Sequence, residues 1–254
     1  MQTVARKRSR DEGEKPFWIS FSDLMSALMV LFLVTMSVAL LAVTRKVSEA
    51  EREERERIEA IEELMEEVKQ IVTKKEFEGV RIVGNTIDFG PRGKFEREGQ
   101  NTLSAPQREV IRRFTPTLLQ KLRDTEAGRR WFKRAVVEGY ASQTGSYLFN
   151  LNLSLERSGR VLCELLRAAP TPAETLAELD RKLIATKFFV GGASFNSLRS
   201  DDDTSRRIEF KLEFKTRQEK QDEERKPPPS VDDDRLSRAL NVNEPCQIQD
   251  RLGR

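Results

Sequence analysis

The sequence has no histidine among its 254 residues, and only two cysteines, Cys163 and Cys246. Without an imidazole there is no general base of the usual neutral-pH kind. Ser154 and Cys163 have no evident activating partner either, so hydrolytic chemistry is poorly supported. Two cysteines far apart, with no histidine to complete a set, leave no ordinary structural zinc site. They leave a disulfide open in an oxidising compartment, although the apolar helical pattern around Cys163 equally suits a core thiol. A strong excess of one charge is also missing: 45 basic residues stand against 42 acidic ones, net +3. Such a balance does not favour nucleic acid as a direct partner. Hydrophobic residues make up 37% of the chain, low for a purely globular enzyme.

Basic residues are absent altogether from Pro16 to Thr44, PFWISFSDLMSALMVLFLVTMSVALLAVT. As a helix rising about 1.5 Å per residue, this stretch spans about 43 Å, enough to cross a bilayer once. A buried helix of a large soluble protein is the alternative, but no other segment is apolar enough to enclose it. A cleaved signal peptide fits less well, because the segment is long, carries Asp23 near its start and lacks a small-x-small exit. An uncleaved anchor is expected. The run RKRSR at residues 6 to 10 reads as a topology determinant that also meets anionic lipid, with DNA binding as the alternative; Arg45, Lys46, Arg52, Arg55 and Arg57 put basic residues on the other flank as well, and the short tail before a single span is what favours an N-terminus in the cytoplasm.

Asp23 is the single ionisable residue within this span. A carboxylate in hydrocarbon must neutralise, pair or face a wet path, so Asp23 reads as an ion-carrying switch. The plainer reading puts it near headgroup water as a topological feature. Ser20, Ser22 and Ser26 lie within about a turn of it, and serve either as hydroxyl partners along a narrow path or as small residues for close packing. Trp18 is expected to anchor the interface.

After the span, VSEAEREERERIEAIEELMEEVKQIVT at residues 47 to 73 is rich in helix formers, with Ile58, Ile61, Met65, Val68 and Val72 at coiled-coil spacing. The seam predicts dimerisation, with a helix lying against its own domain as the alternative. Residues 78 to 214 read as an α/β module. A hairpin turns at Gly84 and Asn85; a helix from Ala105 carries Val110, Phe114, Leu118 and Leu122, with Pro116 as a bend or split. A strand follows at Arg134 to Glu138, a helix from about Ser154 with Leu155, Leu162 and Leu166 along one side, a further amphipathic segment at 173 to 184, and a last strand, IEFKLEF, at 208 to 214. Beyond Lys215 the charge blocks and three successive prolines predict an extended or disordered tail.

The order of basic tail, WISFSDLMSALMVLFLV span, helical stalk and α/β module resembles the MotB family of ion-driven stator subunits. Trp18, Ser22, Asp23, Met25, Ser26 and Met29 fall where the family's membrane signature expects them. The outer module looks like an OmpA/MotB C-terminal domain: Phe95, Gly99, Leu103 and Ser104 match its early feature, Asn150, Leu153, Ser154 and Arg157 its main motif, and Arg206 and Arg207 its final arginine pair. One departure is clear. The family commonly has an aspartate to clasp the amino group of a wall peptide, and Ser142 stands in its place.

The resemblance implies an α/β fold class: a single transmembrane helix at 16–44 after a cytoplasmic tail at 1–15, a dimerisation stalk at 45–77, a periplasmic α/β sandwich at 78–215 and a disordered tail at 216–254. It implies Asp23, Ser22 and Ser26 on a proton path, and peptidoglycan contacts from Tyr140, Asn150, Leu153, Ser154, Arg157 and Arg207. Arg157 offers a donor fork for a carboxylate, and Tyr140 a cover for the ligand's apolar stem. No cofactor or metal and no enzymatic role is expected. The implied partners are a second copy, a pentameric MotA-like protein, peptidoglycan, protons and, indirectly, cytoplasmic effectors, all at a bacterial inner membrane. The SFSDLMSALM wording looks more like the MotB-like subunits of Zorya anti-phage systems than like flagellar proteins. A flagellar or gliding stator, a Tol/Exb-like transducer and a passive membrane-to-wall tether are the alternatives.

Overall fold

The computed structural model describes residues 14–171, 174–229 and 231–253. The basic run at residues 6 to 10 lies outside them. The chain divides after Arg55 into two compact units. The first contains the beginning of α1 (Glu14–Val72), a helix with no glycine or proline beyond Pro16 to interrupt it. Its apolar side chains from Phe21 to Val47 are all exposed. The hydroxyls of Thr35, Ser37 and Thr44 donate back to the carbonyls of Phe32, Leu33 and Leu40, at 2.9, 2.7 and 2.9 Å. These polar groups are thus satisfied within the helix, as an apolar surrounding demands. Among the described residues, α1 is the one helix long and apolar enough to cross a membrane, by length and composition.

The second unit begins with the last turns of α1, whose Leu64, Met65, Val68 and Ile71 are buried in this unit's own core. Much of the seam read as facing a second copy is turned inward: Ile61 and Val72 also pack against the core, whereas Ile58 is exposed. The apolar face of this helix has the sheet module to cover it, which satisfies the alternative reading from one chain alone. β1 (Arg81–Val83) and β2 (Thr86–Asp88) form the expected hairpin across Gly84 and Asn85, Val83 opposite Thr86. α2 (Ala105–Asp124) starts with a reciprocal capping box between Ser104 and Gln107 and runs unbroken through Pro116. Burial of Phe114, Leu118 and Leu119 on either side of the proline holds the helix together against its lost hydrogen bond.

α3 (Glu126–Trp131) leads into β3 (Phe132–Gly139), then α4 (Tyr147–Leu166), α5 (Glu178–Lys187), β4 (Phe188–Gly192), the short α6 (Asp202–Ser205) and β5 (Ile208–Phe214). The sheet order is β1-β2-β5-β3-β4, antiparallel except for β3 and β4, which are parallel across the crossover formed by α4 and α5. β5 keeps its strict alternation: Ile208, Phe210 and Leu212 face the core, with Ala135 and Val137 beside them on β3. Edge-on phenyl contacts link Phe77, Phe114, Phe89, Phe210 and Phe188 through the core at centroid distances of 4.8 to 5.9 Å. The opposite sheet face is charged, with Arg134 on Glu213 and Arg199 on both Asp88 and Glu209.

The expectation of a disordered tail is corrected. α7 (Arg217–Arg225) carries a Thr216–Glu219 capping box, and α8 (Asp233–Ala239) is capped by Asp232. Cys163 on α4 and Cys246 form a disulfide. The composition that favours disorder is outweighed by these specific attachments.

Candidate functional site

α4 carries the site. Ser146 caps it by accepting from the Phe149 N–H, so that the helix begins at Tyr147, seven residues before the expected start at Ser154. Asn150, Leu153 and Arg157 then lie along one helical side. The helix sits hard against β3, because Gly139 leaves room: a Cβ there would lie 2.0 Å from the Ser154 carbonyl oxygen. This contact takes Arg157 fully into the protein, at 0% exposure.

Arg157 donates from Nε to the Gln100 carbonyl at 2.8 Å and from Nη1 to the Tyr140 carbonyl at 2.6 Å, and its guanidinium lies 4.4 Å from the centroid of Phe95. Its Nη2 is buried without a partner, and no carboxylate among the described residues pairs with it. Burial pushes this guanidinium down to about 9, the neighbouring Arg206 pushes the same way, and Glu156 opposes them. A buried cation with a free N–H is costly unless something anionic completes it.

Arg157 is among the residues that line a cavity of about 470 Å³, with Glu98, Ser142, Thr144, Asn150, Leu153, Arg206 and Arg251. Asn150 is buried and donates to the Thr144 carbonyl at 3.0 Å, fixing the loop that leads into α4. Ser142 is buried at the same cavity. Ser154 lies behind it rather than in the lining: its Oγ donates to the Leu151 carbonyl and accepts from the Ser194 N–H at 3.1 Å, tying α4 to the end of β4.

Tyr140 and Arg207 do not join the cavity. The Arg207 guanidinium lies 3.9 Å from the Tyr140 ring centroid and pairs with Glu209 at 2.7 Å, while the Tyr140 hydroxyl donates to Glu138. Burial and that donation to a carboxylate hold the Tyr140 phenol well above its ordinary range. The expected cover for a ligand stem is therefore engaged elsewhere, and of the arginine pair it is Arg206 that borders the cavity, bonded to the carbonyls of Phe95 and Glu96. Arg251 and Gly253 also line it, from the tail read as disordered, so composition alone gave no signal for them. On the first unit, Asp23, Ser22 and Ser26 are exposed on α1, Ser26 one turn beyond Asp23. Among the described residues no cluster of His, Cys, Asp and Glu is placed to hold a metal ion.

The described residues thus form an α/β unit, with a buried, partly unpartnered arginine beside a cavity, on a chain that begins with a long apolar helix. Over 229 residues the chain is 37% identical to the Zorya protein ZorB of Escherichia coli O139:H28 (strain E24377A / ETEC), covering 88% of this chain and 92% of that protein. The chain belongs to the ZorB family. No protein-family model matches it. Among solved structures, the periplasmic domain of Helicobacter pylori MotB (residues 90–256) is 13% identical, with 61% of this chain and 93% of that one covered at a TM-score of 0.40. The OmpA-like domain of FopA1 from Francisella tularensis is 18% identical, with 54% and 82% covered at 0.33. Overlaps this loose decide nothing about function.

Proposed function

We propose that this chain is the wall-anchored, MotB-like subunit of a proton-driven stator in a Zorya anti-phage system, set in the bacterial inner membrane by α1 with its α/β domain in the periplasm. Membership of the ZorB family supports the stator role. In this reading two copies pass through a pentameric MotA-like partner, and Asp23, with Ser22 and Ser26 beside it, takes up and releases a proton. Cancelling and restoring one charge in a low-dielectric surrounding favours alternate packings of the helices, and the gradient supplies the free energy. Cytoplasmic effectors act downstream.

The wall anchor rests on one observation above all: Arg157 is buried, lacks a counter-ion among the described residues, has an unpartnered Nη2, and belongs to the lining of the cavity. A carboxylate of a peptidoglycan stem peptide would complete it. Where Ser142 replaces the family's aspartate, Glu98 is the acidic residue in the lining and can meet an ammonium group of the same ligand. Asn150 and Leu153 shape the floor, and Ser154 acts by holding α4.

The test is co-sedimentation of the full chain, in detergent, with purified peptidoglycan sacculi. Wild type is expected to pellet and Arg157→Ala to lose at least about ten-fold in affinity, the order expected for a charge-assisted pair. Equal pelleting of the two proteins, both folded, would remove the anchor from this account.

A further inference from the structure

We infer that the segment 246–253 is a strap, fastened by the Cys163–Cys246 disulfide, that positions Arg157 for its ligand. The inference rests on reading the Arg157 cavity as the wall-ligand site. Three elements hold the Arg157 guanidinium: α4, which carries it, the Tyr140 carbonyl, which accepts from Nη1 at 2.6 Å, and the loop ending at Gln100, whose carbonyl accepts from Nε at 2.8 Å. The strap joins α4 to that loop.

Its hold on α4 begins at the disulfide, six residues beyond Arg157. Arg160 donates from Nη2 to the Ile248 carbonyl at 2.6 Å and pairs with Asp250. Ile248 packs on Gly159, where a Cβ would lie 2.7 Å from the Ile248 Cδ1. The hold on the loop is made through Asn101, which is 0% exposed. Its Nδ2 donates to the Gln249 carbonyl at 2.9 Å and to Glu156 at 2.8 Å; its backbone N–H donates to the Arg251 carbonyl at 3.1 Å; its Oδ1 accepts from the Arg251 N–H at 2.8 Å. Arg251 in turn bonds Glu156 on α4 at 2.8 Å. A buried amide whose bonds run mainly to the tail loses them if the tail lifts, and the neighbouring Gln100 carbonyl loses its fixed place.

The strap is a wall and not a plug. Arg251 and Gly253 line the cavity while the cavity stays open, and with the strap down the Nη2 of Arg157 is buried but still without a partner. Opening the disulfide therefore weakens ligand retention instead of exposing a hidden site. Asn101 is a positioning residue in this scheme, acting through Gln100 on Arg157.

The experiment uses the full chain in detergent, with purified sacculi as probe, in three states: oxidised, reduced with dithiothreitol, and reoxidised. Dithiothreitol passes two electrons and two protons to the disulfide, giving two cysteine thiols and its own cyclic disulfide. We expect about ten-fold weaker pelleting on reduction, recovery on reoxidation, and unchanged far-ultraviolet circular dichroism. Equal pelleting of folded oxidised and reduced protein overturns the strap and leaves the wall anchor standing. Failure of the oxidised wild type to pellet overturns the wall anchor, and the strap with it. Should reduction unfold the domain, oxidised Asn101→Ala decides the matter: weaker pelleting with the disulfide intact supports the strap, and wild-type pelleting overturns it.

Discussion

At Arg157 the demands of folding and binding pull apart. Its two carbonyl partners do not neutralise a fully buried charge, and burial pushes the guanidinium down to about 9, below its ordinary range. Between about 9 and the ordinary guanidinium range the unfolded chain holds more protons than the folded one, so this residue's contribution makes stability rise with pH there; below about 9 the charged form opposes folding. A ligand carboxylate needs that charged form. Pelleting with sacculi should accordingly weaken in strong alkali, at a lower pH than the one at which an exposed arginine would lose its charge. Asp88 works in the opposite sense. Burial raises its carboxyl, but the Gly90 N–H and the guanidinia of Arg199 and Arg81 outweigh burial and hold it below its ordinary 3.8. Its contribution is present above that value and is lost as the pH falls through the lowered one. Arg81, Arg199, Glu209 and, through Glu209, Arg207 face it on this sheet surface. Asp88→Asn should destabilise the domain by about 1 to 3 kcal/mol near neutrality and by much less in acid, measured by urea unfolding. Equal loss at both pH values would point to packing instead of charge.

The elements differ in how openly the sequence announced them. β5 and the hairpin at Gly84 and Asn85 were legible because alternation and turn chemistry are local. β4 was not: FFVGG is short, ends in two glycines and finds its place only by parallel pairing with β3. The start of α4 was hidden because Tyr147, Leu148 and Phe149 are exposed at its first turn, against the usual pattern. Leu155 is likewise exposed, while Leu153, Val161 and Leu165 form the buried side. The tail was misread because its order depends on a disulfide and on bonds to Asn101, neither of which composition records. For the last turns of α1, the spacing was right and its partner was the open question. Val68 is 0% exposed in the domain's own core, so Val68→Asp should cost about 3 kcal/mol or more of domain stability, independent of protein concentration. A loss that diminishes as concentration rises would instead place Val68 between two copies.

At the scale of the whole molecule, the chain combines an exposed apolar stretch of α1 bearing one carboxylate with a domain that buries a cation short of a partner beside a cavity. The motif residues Asn150, Leu153 and Arg157 stood out in the sequence, and all three line one cavity. The loop and tail residues that finish it came together only through the fold. A passive tether needs the domain and the helix but has no use for Asp23, whereas a proton-driven stator depends on it. The decisive measurement is therefore plaque formation on cells carrying the intact gene neighbourhood, comparing wild type with Asp23→Asn at matched membrane levels of the chain and its MotA-like partner. The stator account predicts that the variant assembles while plaques rise to the unprotected level; equal protection by the two proteins would contradict it and leave a passive anchor as the better description.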